Sequence, residues 1–132
     1  MRIAIIAETK TPPDRRVPFS PKQLAELKAA YPDHEFVVQS SQIRCFSDKE
    51  YTDAGVEVRA MVSDCDVFFG VKEVVIEALF PDKSYFFFSH TAKEQPYNRL
   101  LLQDISAKSI TRVDYEYLTD HLNIRLVAFG RW

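Results

Sequence analysis

Glycine is scarce in this sequence, which has three glycines among 132 residues: Gly55, Gly70 and Gly130. A dinucleotide-binding turn of the G-x-G-x-x-G type needs three glycines within six residues, and a P-loop needs two glycines before a Lys-Ser or Lys-Thr pair. Neither pattern occurs in the sequence. The sequence therefore predicts that no residue of this chain binds a nucleotide cofactor.

Cysteine, long apolar runs and excess positive charge are also lacking. Cys45 and Cys65 are far apart and show no metal-ligand spacing, so we predict reduced thiols, no metal and a cytoplasmic location. No apolar run approaches the ~20 residues of a membrane helix, and the N-terminus lacks a signal-peptide pattern. A net charge of −2 without a basic patch argues against nucleic acid as a partner.

The remaining composition is that of one globular domain, with 46% hydrophobic and 27% charged residues. Apolar runs predict strands at 2–7, 35–39, 56–59, 66–71, 85–89, 110–113 and 124–129. Helix signals alternate with them: capping boxes that begin at Ser20 and Ser47, a short helix at 75–79 and a longer one at 96–108. This alternation, with several strands apolar on both faces, predicts a doubly wound α/β domain, Rossmann- or flavodoxin-like, with a mainly parallel sheet and helices on both faces.

Ionisable residues follow four of the predicted strands. In open parallel sheets ligands bind at the carboxyl ends of the strands, so these residues should meet at one edge. They are Glu8, Lys10, Arg15 and Arg16 after the first strand, Lys72 and Glu73 after 66–71, His90 and Lys93 after 85–89, and Asp114 and Glu116 after 110–113.

Each of these residues also has a structural interpretation when taken alone. Lys72-Glu73 is typical of a solvated turn, Arg15-Arg16 of a solvated pair, and a lone His90 after a strand of a structural histidine. Their shared position at strand ends favours a site. Lysine and histidine together suit acid–base work at an amine or imine carbon, and arginine suits a carboxylate. The residues thus suggest chemistry on an amino or keto acid, and they show no redox step.

Six short segments resemble, in order, the N-terminal domain of the alanine dehydrogenase, pyridine nucleotide transhydrogenase and saccharopine dehydrogenase family. They are E-T-K (8–10), R-x-P-x-S-P (16–21), G-V-K-E (70–73), F-F-S-H-T (87–91), D-Y-E (114–116) and V-A-F-G-R-W (127–132). The fourth and sixth segments look closer to the saccharopine-forming branch, lysine–ketoglutarate reductase, than to alanine dehydrogenase. The resemblance covers nearly the whole chain.

The resemblance implies oxidative deamination, or its reductive reverse, at a CH-NH group with NAD or NADP. It implies that Lys72 and His90 are catalytic, that Arg16 and Lys93 bind substrate, and that Glu73 and Glu116 tune the pKa of the pair. It also implies that residues 1–132 are the substrate-side domain and that the nucleotide is bound mainly by a Rossmann domain that should follow Trp132. The isolated domain is then expected to be inactive.

Three other interpretations remain open. The chain could be the N-terminal domain of an alanine dehydrogenase, a stand-alone module that binds amino or keto acids, or a structural domain with a merely charged edge. A homo-oligomer is compatible with the sequence, and the sequence does not choose between NAD and NADP because the discriminating acidic residue would lie in the following domain.

Overall fold

A six-stranded parallel sheet forms the centre of the computed structural model, which describes residues 1–89 and 98–128. Its strands are β1 Arg2–Ile5, β2 Glu35–Gln39, β3 Glu57–Arg59, β4 Val67–Lys72, β5 Ser84–Phe88 and β6 Thr111–Asp114. They lie side by side in the order β3-β2-β1-β4-β5-β6, and all neighbouring pairs are parallel. The predicted parallel α/β sheet is confirmed, and its strand order reverses direction between β1 and β4.

Helices cover both faces of this sheet, as the sequence predicts. They are α1 Pro21–Ala30, α2 Asp48–Asp53 and α3 Asn98–Ala107. Leu24 of α1 and Tyr51 of α2 are buried in one core cluster, whereas Leu101 and Ile105 of α3 are buried in the cluster on the other face. Within the described parts of the chain, no helix has the length and apolar character to cross a membrane.

The local signals at the helix ends behave as expected from the sequence. Ser20 and Ser47 are N-caps, and each forms a reciprocal capping box, with Gln23 and Glu50 respectively. These boxes satisfy backbone N–H groups that have no partner inside the helix. Gly55 follows α2 with φ +79°, the left-handed conformation that glycine adopts without the Cβ clash.

The aromatic strand β5 is buried from both sides. Tyr85 and Phe87 are 1% and 0% exposed and belong to the core under α3. Phe86 and Phe88 point to the opposite face, because successive side chains of a strand alternate. The Tyr85 ring stacks on that of Phe68 in β4, with ring centroids 4.8 Å apart. The strand is therefore a rigid support for whatever follows Phe88.

The prediction of a final strand at 124–129 is wrong for its described part, residues 124–128. Arg125 forms only an isolated antiparallel bridge with Thr119. The Asp120 carboxylate accepts hydrogen bonds from the backbone N–H groups of Leu122 and Ile124, at 2.8 and 2.9 Å. This turn folds the segment back on the chain just before it, so it cannot extend alongside the sheet.

The two helices predicted in the second half of the chain end earlier in the structure than predicted. The predicted helix at 75–79 is a single 3-10 turn, Ile76–Ala78, because Val75 and Leu79 on either side have extended backbones. The helix predicted at 96–108 is α3, Asn98–Ala107, and residues 96–97 lie outside the described part of the chain.

Phe87→Ala tests whether the aromatic strand anchors the fold. Phe87 has no exposed surface, so its loss should lower the free energy of unfolding by about 3–5 kcal/mol in urea denaturation. Leu100→Ala is the control, because Leu100 is 64% exposed and should cost much less. Equal losses for the two variants would contradict the burial of β5.

We expect the protein to lose stability at alkaline pH, because three of its tyrosines are buried. Burial raises the pKa of Tyr51 to about 12 and raises the pKa of Tyr85 and Tyr115 as well. Unfolded tyrosine ionises near pH 10. Above that pH the folded state therefore holds more protons than the unfolded state, and the free energy of unfolding falls as the pH rises. Urea denaturation between pH 8 and 11.5 measures this fall. A stability that stays flat above pH 10 would contradict the burial of these hydroxyls.

Candidate active site

The carboxyl ends of β1 and β4 lie side by side at the reversal of strand order, the position where open α/β sheets bind ligands. The residues after β1 and those at the end of β4 contact each other there. Lys10 forms an ion pair with Glu73, and the Glu73 side chain is 11% exposed. The structure thus brings together two of the predicted strand ends.

Lys10 shares this position with the predicted catalytic lysine, Lys72. Burial lowers the pKa of Lys10, and the neighbouring positive charge of Lys72 lowers it further. The Glu73 carboxylate, by its charge, would act in the opposite direction. Two lysine amines and one carboxylate are therefore close enough to influence one another.

Glu8 connects the same two strand ends through the backbone. Its Oε1 accepts a hydrogen bond from Val71 N at 2.7 Å, and its Oε2 accepts one from Lys72 N at 2.9 Å. Burial raises the pKa of Glu8, and the two backbone hydrogen bonds oppose that rise.

Arg16, the predicted ligand of a substrate carboxylate, is held by a carboxylate of the protein itself. Asp14 Oδ1 accepts from both the backbone N–H and the Nε of Arg16 at 2.9 Å, and Asp14 Oδ2 contacts Nη2. The Arg16 guanidinium lowers the pKa of Asp14, and Asp14 in turn raises the pKa of Arg16. The Asp14 side chain is 11% exposed, so a substrate carboxylate would have to share the guanidinium with it.

The end of β5 is fixed by buried polar contacts. Ser89 is fully buried; its backbone N–H donates to Asp114 Oδ2 at 3.3 Å, and its hydroxyl contacts the same oxygen. Arg112 Nη1 donates to Ser89 Oγ at 2.9 Å. Ser89 directly precedes His90. His90 and Lys93 lie outside the described residues, so their predicted roles remain predictions.

Glu116 lies just beyond β6, in a 3-10 turn spanning Tyr115–Tyr117. Its backbone N–H donates to Asp114 Oδ1 at 2.9 Å, and its carboxylate lies 3.9 Å from Arg125 Nη1. The Glu116 side chain is 9% exposed, so Arg125 balances a largely buried charge. Its effect on the acid–base pair stays a prediction.

A cavity of about 440 Å³ lies on the face of β4 and β5 opposite α3. Its lining is almost entirely apolar, including Phe69, Val71, Phe86 and Phe88, with Arg16 among the few polar members. Lys10, Lys72 and Glu73 lie at the edge of the sheet and are not among the residues that line this cavity. An amino acid with two charged groups suits that edge better than an apolar space.

Sequence reasoning placed Glu8, Lys10 and Asp114 after strands but gave them no role, and it overlooked Asp14 altogether. Each of the four holds a predicted site residue or its neighbour. The E-T-K segment directly after the first strand was a usable signal for Glu8 and Lys10. Within residues 1–89 and 98–128, no three His, Cys, Asp or Glu side chains are grouped to hold a metal ion.

Comparison with known proteins identifies the family. The model of the "Alanine dehydrogenase/PNT, N-terminal domain" family matches residues 4–132, almost the whole chain. The chain belongs to this family. The resemblance found in the six short segments is therefore confirmed.

Relatives of the chain point to one branch of this family. It is 39% identical over 119 residues to the mitochondrial alpha-aminoadipic semialdehyde synthase of Bos taurus, covering 90% of this chain and 13% of the relative. It is 30% identical over 135 residues to the saccharopine dehydrogenase [NAD(+), L-lysine-forming] of Yarrowia lipolytica, covering 98% of this chain and 36% of the relative. The chain thus spans about an eighth to a third of the length of these curated relatives.

Solved structures confirm the fold. An L-alanine dehydrogenase superposes with a TM-score of 0.77 at 23% identity, covering 94% of this chain and 35% of the other. A transhydrogenase from Sinorhizobium meliloti superposes with a TM-score of 0.73 at 19% identity, covering 92% of this chain and 36% of the other.

The proximity of two lysines gives a direct test of the site geometry. Lys72→Met removes the positive charge that lowers the pKa of Lys10, so the pKa of Lys10 should rise. Lys72→Arg keeps the charge and is the matched control. An NMR titration of the lysine side chains measures both variants. If the pKa of Lys10 is the same in Lys72→Met as in the parent, the two amines are not neighbours.

Proposed function

We propose that this chain is the substrate-binding half of an NAD(P)-dependent amino-acid dehydrogenase of the saccharopine-forming type. The observation that carries the proposal is the contact between Lys10 after β1 and Glu73 directly after β4, beside Lys72. It brings acid–base groups together where parallel sheets bind ligands. The relatives named for alpha-aminoadipic semialdehyde synthase and saccharopine dehydrogenase support the choice of substrate.

In this proposal the site residues have three different roles toward an amine or imine substrate. Lys72 and His90 move protons at the reacting nitrogen and carbon. Arg16 and Lys93 hold substrate carboxylates, and Arg16 does so in competition with Asp14. Glu73 and Glu116 adjust the basicity of the pair through their negative charge.

The nicotinamide cofactor does not fit the described residues of this chain. In a dinucleotide-binding fold the turn after the first strand is glycine-rich and lets the pyrophosphate approach the backbone. Here the corresponding residues 6–11 contain no glycine, and Glu8 places a carboxylate against the backbone N–H groups of β4. An anionic pyrophosphate would be repelled there. We therefore assign the cofactor to a second domain and no hydride-transfer step to these residues.

The function is tested with the complete protein that the gene encodes. NAD(P)H oxidation is followed with lysine plus 2-oxoglutarate, and separately with pyruvate plus ammonia. Activity with the first pair supports the proposal, and activity only with the second assigns the chain to alanine dehydrogenase. Absence of both activities, with amino-acid binding in calorimetry, would make it a binding module. A reading frame that continues past Trp132 into a glycine-rich turn would support the enzyme.

Lys72→Met and His90→Gln should each lower the turnover of the complete enzyme by roughly 10²- to 10⁴-fold while the fold is retained, because each removes a group that transfers a proton. Lys83→Met and His34→Gln are the controls, since both residues precede strands and lie at the amino edge of the sheet. Turnover near that of the parent in both site variants would refute the acid–base roles.

A further inference from the structure

Glu8 is a carboxylate at this edge that binds backbone groups of β4. Both of its oxygens accept hydrogen bonds, from Val71 N at 2.7 Å and from Lys72 N at 2.9 Å, within the described part of the chain. Its partners are 63 and 64 residues away in sequence. One of them is the backbone of the proposed catalytic lysine.

The geometry of β4 explains why two successive N–H groups face one carboxylate. In a regular strand they point to opposite sides. The pairing of β4 with β5 shifts between Phe69 and Lys72: Phe69 is opposite Phe86, whereas Lys72 is opposite Phe88, so β4 holds one extra residue. Such a bulge leaves backbone groups unpaired and redirects the side chains beside it. Successive N–H groups that point the same way form a concave site for an anion, and Glu8 supplies that anion.

The pairing with β1 ends just before this bulge. The last backbone hydrogen bond between the two strands runs from Ile6 N to Phe69 O at 3.0 Å. Beyond it, the backbone N–H groups of β4 donate to the Glu8 carboxylate instead. Gly70 permits the close approach of the chain after β1. A Cβ at position 70 would lie 3.1 Å from Ile6 Cδ1 and 3.4 Å from Glu8 Oε1.

Holding a carboxylate here is costly, because burial disfavours its charged form and raises the pKa of Glu8. The charges around it are mixed: Asp14 raises that pKa further, whereas Arg16 lowers it. A neutral side chain would avoid the cost. Costly charged groups of this kind concentrate at functional sites.

We propose that Glu8 is a positioning residue for Lys72: by binding both N–H groups of the bulge, it fixes the end of β4 from which the Lys72 amine reaches the substrate. This inference rests on the proposed function. Glu8 itself need not contact the substrate. Its role is to hold the backbone of Lys72, because a displacement of about 1 Å at a reacting group can cost as much as 10²-fold in rate.

The test uses Glu8→Gln in the complete protein. Glutamine has nearly the same shape, but its amide can accept only one of the two N–H groups and turns a donor toward the other. The turnover number should fall by about 10- to 100-fold, with a smaller change in KM. Glu8→Asp keeps the charge but is one methylene shorter, so it should not restore turnover. Full turnover in Glu8→Gln would overturn the proposal.

Asp66→Asn is the matched control for a purely structural effect. Asp66 Oδ2 accepts a hydrogen bond from the backbone N–H of Arg2 at 2.8 Å, at the amino edge of the same sheet. The Asp66→Asn substitution should leave the turnover number and the pH profile of kcat unchanged. In a Lys72→Met background, Glu8→Gln should cause no further loss of turnover, because the two residues act as one unit. Losses that multiply independently would overturn the proposal.

A separate measurement keeps this inference distinct from the proposed function. If the parent protein is inactive with every substrate pair, the proposed reaction fails, and the position of Lys72 is still observable by NMR. Glu8→Gln should speed amide exchange at Val71 and Lys72 and shift the Lys72 side-chain signals, whereas Asp66→Asn should not. Lys72 signals unmoved by Glu8→Gln would overturn the positioning role whatever the reaction.

Discussion

The two hydrogen bonds from the β4 backbone to Glu8 are the interaction on which the candidate site depends. A parallel sheet leaves N–H groups unpaired where one strand outlasts its neighbour, and each buried one needs a partner. β1 ends at Ile5 and β4 continues to Lys72, so the carboxylate bridges the difference. Because the strand order reverses between these two strands, the bridge lies where a ligand would bind.

The charges around this bridge are arranged in opposite pairs. Lys10 contacts Glu73, and Arg16 contacts Asp14, so Arg16 and Glu73 each have a partner of opposite charge within the chain. Such pairs keep cations in place at a partly buried edge without a ligand. A substrate carboxylate or amine would exchange one partner for another, which favours ligands that carry both signs of charge. An amino acid has this property, and an apolar ligand does not.

Much of the fold could be predicted from local sequence. The capping boxes at Ser20 and Ser47 depend on residues three positions apart, and the aromatic run at 85–88 marks a strand buried on both faces. The strand predicted at 124–129 failed because its apolar residues satisfy the local pattern, while the Asp120 turn directs the chain elsewhere.

The site could be predicted only in part, because local sequence patterns do not show which residues contact each other across the sheet. That strand ends meet at one edge is a property of parallel sheets, so the proximity of Lys72 to residues after β1 was accessible from the sequence. The contact partners of the site residues were not accessible from the sequence. Adjacent Lys72 and Glu73 suggested a pair, but Glu73 contacts Lys10, 63 residues away, and Glu8 binds a backbone that no side-chain pattern reveals.

The separation of polar edge and apolar cavity follows from the same sheet. Phe86 and Phe88 of β5 line the cavity, and Ser89 then brings the chain to the polar edge within one residue. Asp114 holds Ser89 there, much as Glu8 holds Lys72. Glu8, which follows β1, thus fixes the end of β4 through its backbone, and Asp114, the last residue of β6, fixes the chain at the end of β5 in the same way. The side chains that follow these strand ends remain available for a ligand. The free-energy cost of burying the two carboxylates is offset by the rest of the fold.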